Sequence, residues 1–88
     1  MVKGNAVVGS EVGLHARPAA DFVRLASLSG HQVNIINRSG KKAIGTSILG
    51  VLSLGAKYGE ELVIEVVGPD ETSVLEALIA VVSGHKTV

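Results

Sequence analysis

No cysteine occurs in the 88 residues, and the only aromatic side chains are Phe22 and Tyr58. The missing cysteines exclude a disulfide framework and a thiolate metal site, as suits a reducing compartment. With so few aromatics the core must be built from Val, Ile, Leu and Ala, and there is no stacking platform for single-stranded nucleic acid. Charge of one sign is not in excess either. Eight basic and eight acidic residues cancel, and the one basic cluster is Arg38 to Lys42. That balance argues against a nucleic-acid partner. No apolar stretch approaches the ~18–20 residues that span a bilayer, so membrane insertion is not expected. The start, Met1 to Asn5, lacks the basic residues and apolar run of a signal peptide. Together these features lead to the expectation of a cytoplasmic protein. What is plentiful is aliphatic: hydrophobic residues make up 47% of the chain, enough for the core of one domain spanning residues 1–88.

The patterning alternates between two periods. Residues 2–9 read as a strand ending near Gly9, followed by a loop, Gly9 to Gly13, by composition. Ala19, Phe22, Val23 and Ala26 recur at helical spacing, with Asp21 and Arg24 facing away, and predict a helix over 16–28 stopped by Gly30. Gln32 to Asn37 and Lys41 to Gly45 read as two strands of a hairpin, with Arg38-Ser39-Gly40 as its turn. Ser47 precedes the apolar run Ile48 to Leu54 as an N-cap would, and Gly55 closes that short helix. Leu62, Ile64 and Val66 alternate with Glu61 and Glu65 in a strand over Glu60 to Val67. Pro69-Asp70 ends it and places Asp70 as the N-cap of a last helix, whose stripe is Val74, Leu75, Leu78, Ile79 and Val82, with Gly84 as its stop. The order βαββαβα implies an α+β fold, an open-faced sandwich: a four-stranded antiparallel sheet covered on one face by three helices.

His15 stands where the first loop becomes a helix, and Pro18 fits that first turn because the amides there lack intrahelical partners. Those amides and the helix dipole favour an anion. An imidazole in this place offers a ring nitrogen as nucleophile near neutral pH, and Arg17 has the planar fork that holds phosphoryl oxygens. Taken alone, a histidine before a helix is more often a cap or a surface residue, and Arg17 a solvated charge.

The segment Gly13-Leu14-His15-Ala16-Arg17-Pro18-Ala19-Ala20 resembles the active-site signature of the HPr family, the histidine-containing phosphocarriers of the bacterial phosphoenolpyruvate:sugar phosphotransferase system. A second block, Ser47-Ile48-Leu49-Gly50-Val51-Leu52-Ser53-Leu54-Gly55, resembles that family's regulatory-serine segment. The likeness runs over nearly the whole chain in the same element order.

The resemblance implies a phosphocarrier rather than an enzyme, with an HPr-like regulatory or non-sugar phosphorelay protein as the alternative. His15 would accept a phosphoryl group from phospho-enzyme I on Nδ1 and pass it to enzyme IIA domains. Arg17 and the amides of Ala16 and Arg17 would bind the phosphoryl oxygens, with no metal or organic cofactor. Ser47 would be the target of an HPr kinase/phosphorylase, coupling the protein to a transcriptional regulator, or else a helix cap alone. Ile48, Leu49 and Leu52 would dock partners, with Ile48 and Leu52 outward and Val51 and Leu54 inward, and Arg24 and Lys57 would add charge at the rim. A carrier that serves several partners in turn is expected to be monomeric. The sequence also departs from the family pattern. Val12 stands where relatives often carry a small polar residue, the hairpin around Ile36 to Lys41 has one extra residue, and Thr46 replaces a lysine of some kinase substrates. His31 and His85 match no motif and are expected to be exposed, without metal-binding spacing.

Overall fold

The computed structural model describes residues 1–11 and 13–84. Seven elements occur in the expected order: β1 (Val2–Val7), α1 (Ala16–Ser29), β2 (Gln32–Ile36), β3 (Lys42–Ile44), α2 (Ile48–Ser53), β4 (Glu61–Val67) and α3 (Glu71–Ser83). The four strands form one sheet in the order β1-β4-β2-β3, and every pairing is antiparallel. β4 is therefore central, with Val66 opposite Val2 on one side and Val33 on the other. This is the α+β arrangement the alternating periods imply.

The period of two in β4 sends Leu62, Ile64 and Val66 to the helical side, where all three are fully buried. Val33 and Ile35 of β2 and Ala6 of β1 join them. Against this floor α1 lays Ala19, Phe22 and Ala26, and α3 lays Leu75, Leu78 and Val82. The stripe of α3 is narrower than its sequence suggests, since Val74 and Ile79 are half-buried at its margins. Phe22 is the largest side chain in the core. Burial of one such ring contributes about 2–3 kcal/mol.

Element ends differ from the sequence reading by one or two residues, each for a local reason. β1 stops at Val7 because Gly9 leaves the sheet and donates its amide to the carbonyl of Val82 at the end of α3, over 3.1 Å. That approach requires glycine: a Cβ on Gly9 would strike the backbone of Ser83. α1 runs on to Ser29, and Gly30 ends it in the left-handed conformation, with its amide returned to Ser27.

Two side chains depart from their expected settings. His31 is half-buried rather than exposed. Its Nδ1 lies 2.6 Å from the carbonyl of Ser29, and its Nε2 accepts from the amide of Asp70 over 2.9 Å. Glu65 stands on the uncovered face of the sheet yet is only 8% exposed. Lys3 from β1 and Lys42 from β3 reach over it, 3.6 and 3.5 Å from its carboxylate. Asp70 does occupy the N-cap of α3 but makes no side-chain capping bond.

The neighbouring Glu71 instead ties down the loop before the helix, accepting from the amide of Gly68 at 3.3 Å and pairing with the terminal ammonium of Met1 at 3.2 Å. The Gly68 bond first, and the ammonium second, hold the Glu71 carboxyl below its ordinary range. A carboxyl whose folded value is lowered adds stability above its unfolded pKa, and loses it as pH falls through the folded one. Glu71→Gln should therefore be less stable than the parent at about pH 6, and the gap should be smaller at about pH 3. Urea unfolding at the two pH values measures this.

Candidate functional site

The loop between β1 and α1 is drawn inward rather than left on the surface. Gly13 and Leu14 are buried, the amide of Gly13 donates to Ser10, and the amide of Leu14 donates to the carbonyl of Ala56 over 2.9 Å. Gly13 sits at φ 84°, and a Cβ there would lie 2.7 Å from that same Ala56 oxygen. Both the dihedral and the contact demand glycine. Leu14 then plugs into the core, 5% exposed, so the next residue, His15, is left outward at the head of α1.

His15 holds the N-cap position with extended backbone, φ −107° and ψ −163°, and its carbonyl accepts from Ala19 over 2.9 Å. Its imidazole makes no capping bond to the helix. The position is a cap's, but the ring does not act as one. The His15 amide is used by Gly13 at 3.0 Å, and Pro18 has no N–H. Of the four donors that a helix start leaves without intrahelical acceptors, this leaves, among the described residues, the amides of Ala16 and Arg17. With the dipole of a 14-residue helix behind them, they form the electropositive end beside the ring.

A cleft opens here between the start of α1 and the end of α3, lined by Ser10, His15, Arg17, Asp21 and Arg24 on one side and Val81 on the other. Ala16 and Arg17, like His15, are exposed. Arg17, Asp21 and Arg24 are spaced i, i+4 and i+7, so one helix face carries all three. Asp21 faces away from the core, as its place in the helical pattern predicts, but onto the wall of this cleft, where its Oδ1 lies 3.3 Å from the Arg24 guanidinium. Both groups are well exposed, so the pair contributes a few tenths of a kcal/mol at most, roughly. The 17-21-24 spacing was the available signal that these charges accompany the histidine.

Helix α2 packs against α1. Ser47 caps it, its exposed hydroxyl accepting from the amide of Gly50 over 3.1 Å. Val51 and Leu54 point into the core, whereas Leu49 is 77% exposed and Ile48 and Leu52 are 37% and 36% exposed. The inward and outward sets are those expected from the sequence. Lys57 is exposed. Val12 and His85 lie outside the described residues. Among the described residues no group of three His, Asp or Glu side chains is placed to hold a metal ion, and no helix is long and apolar enough to cross a membrane.

The family model for the PTS HPr component phosphorylation site matches residues 2–83. The chain belongs to the HPr family. The phosphocarrier protein HPr of Cupriavidus necator is 34% identical over 97% of this chain and 94% of its own length. The crystal structure of HPr from Bacillus anthracis superposes with a TM-score of 0.85 at 37% identity, covering 92% of this chain and 95% of that one. A second solved relative is the Bacillus subtilis catabolite-repression protein Crh. It is 36% identical, with a TM-score of 0.77 over the whole of both chains, and its structure is a swapped, intertwined dimer. An HPr family member is a phosphocarrier of the phosphotransferase system, a group-transfer protein rather than an enzyme.

The Gly13 turn sets where His15 stands. Gly13→Ala should cost at least about 2 kcal/mol, because it combines a left-handed non-glycine residue with a collision against the Ala56 carbonyl. Thermal unfolding measures the loss, and the His15 ring resonances in an NMR spectrum should shift with it.

Proposed function

We propose that His15 is the residue that carries the phosphoryl group, received from phospho-enzyme I and delivered to enzyme IIA domains that serve sugar uptake. The observation that supports this best is the setting of the ring: exposed at the head of α1, not engaged in capping, and in one cleft with the Arg17 guanidinium. In the transfer a ring nitrogen of His15, Nδ1 by resemblance to the family, attacks phosphorus on the donor histidine. A P–N bond forms on His15 as the P–N bond to the donor breaks, and the electron pair returns to the donor imidazole. The second transfer repeats these events with His15 as leaving group. The phosphoryl charge is met by Arg17 through charge-assisted bonds and by the amides of Ala16 and Arg17 at the positive helix end. No metal or organic cofactor takes part.

In this reading Ile48, Leu49 and Leu52 are the apolar contact surface for the partners. An exposed aliphatic cluster on a six-residue helix has no reason to stay uncovered unless something docks there in turn. The same need for access makes the monomer the transferring species and the cytoplasm its compartment, whatever dimers relatives such as Crh form. Ser47 is the regulatory acceptor. A phosphate on its hydroxyl lies at a helix start that tolerates negative charge, and sets about −1.5 to −2 charges beside the apolar surface, so partners lose affinity while the fold stays intact. An HPr kinase/phosphorylase would install it, and a transcriptional regulator would read it.

Incubation with enzyme I and phosphoenolpyruvate should give one acid-labile, base-stable phosphoryl group. His15→Ala should accept none, and Arg17→Ala should accept it about 100-fold more slowly, the usual scale for one lost donor to a developing charge. Labelling of His15→Ala would reject the assignment. Mass mapping after incubation with ATP and an HPr kinase tests Ser47 separately.

A further inference from the structure

A helix of six residues with a glycine at its third position, α2 cannot hold its own shape. Each carbonyl from Gly50 to the C-cap residue Leu54 nonetheless has a donor. Gly50 receives the Ser53 hydroxyl at 2.7 Å, Val51 the amide of Leu54 at 3.3 Å, and Leu52 the amide of Gly55 at 3.2 Å. The remaining two donors come from elsewhere in the chain. The Nζ of Lys41 reaches the carbonyl of Ser53 over 3.1 Å, and the Nδ2 of Asn37 reaches that of Leu54 over 3.1 Å. Both belong to the β2–β3 turn.

That turn is built to hold its donors still. Asn37 exchanges backbone bonds with Lys41 and Gly40, at 2.9 and 3.0 Å, and its Oδ1 accepts from the amide of Lys41 at 2.9 Å. Glu60 ties the same turn to the chain beyond α2. Its two carboxylate oxygens accept from the amides of Arg38 and Lys57, each at 3.2 Å. The half-buried Asn37 thus spends its carbonyl oxygen inside the turn and its amide nitrogen on α2.

We propose that Asn37 and Lys41 are positioning residues for partner docking: they cap α2 from outside and fix the angle at which Ile48, Leu49 and Leu52 are presented. Neither touches the phosphoryl group. The inference rests on the reading of α2 as the docking helix.

Asn37→Asp separates the two jobs of that side chain, because it keeps the acceptor for the Lys41 amide and removes the donor to Leu54. Enzyme I-dependent phosphorylation should show KM for Asn37→Asp and Asn37→Ala raised about five- to ten-fold, the worth of one lost hydrogen bond, with kcat within about two-fold of the parent. Lys41→Met, a change on an exposed side chain that leaves the fold secure, should raise KM about two- to five-fold. Amide exchange at Leu54 and Gly55 should quicken in all three variants, while that in β4 stays unchanged. An unchanged KM in Asn37→Asp and Lys41→Met overturns the proposal, as does a fall in kcat without a change in KM. If the parent protein accepts no phosphoryl group, the docking reading itself fails and this proposal falls with it. An active parent with unaltered variants removes this proposal alone.

Discussion

The amide of Leu14 donates to the carbonyl of Ala56, and the placing of the site depends on that one bond between two loops. It joins the turn that starts α1 to the segment that succeeds α2, two stretches far apart in sequence. Because Gly13 has no Cβ, the two backbones can come this close, and because Leu14 enters the core, the register of the first turn of α1 is settled. A residue after a buried plug at a loop-helix junction faces outward, and here that residue is His15. The same contact holds the exit of α2 beside the entrance of α1. The exit of α2 and the entrance of α1 are thereby set relative to each other by backbone.

The surroundings of His15 are modest, which suits a carrier. In the proposed reading one guanidinium, two helix amides and a helix dipole would stabilise a phosphoryl group without enclosing it. A deeper site with more donors would hold the group too firmly to release it, and would bar the partner that must supply the rest of the transition-state environment. Asp21 adds a negative charge on the cleft wall, paired with Arg24, so the surface that a partner meets carries both signs within one helix face.

Much of this was legible in the sequence, and the failures share a cause. Strict alternation in β4 and the i, i+3, i+4 stripe of α1 are local patterns, and they placed the sheet and its main helix correctly to within two residues. The glycines at the ends of α1 and α3 carried equally local information. By contrast, the burial of Glu65 depends on lysines from two different strands, and the setting of His31 on a carbonyl at the end of α1 and an amide at the start of α3. Neither pairing leaves a trace in the spacing of residues. The site divided the same way: His15 and Arg17 lie in one short motif, but the cleft that joins them to Asp21 and to the end of α3 exists only after folding.

The two faces of the sheet show why function gathers at one end of the helical layer. On the uncovered face the central strand presents Glu65, and Lys3 and Lys42 close over it from the two edge strands, so that carboxylate is paired across the sheet, while Val7, Ile44 and Val67 lie exposed. On the covered face α1 and α3 seal the sheet with fully buried aliphatic side chains and Phe22. Only α2 is too short to be sealed on all sides, and an aliphatic helix in that condition must either be buried by something else or remain a standing cost. Its neighbour across the loop contact is the exposed histidine. In the proposed reading, an exposed ring and an apolar helix held side by side let different partners recognise, load and unload the protein through one small surface.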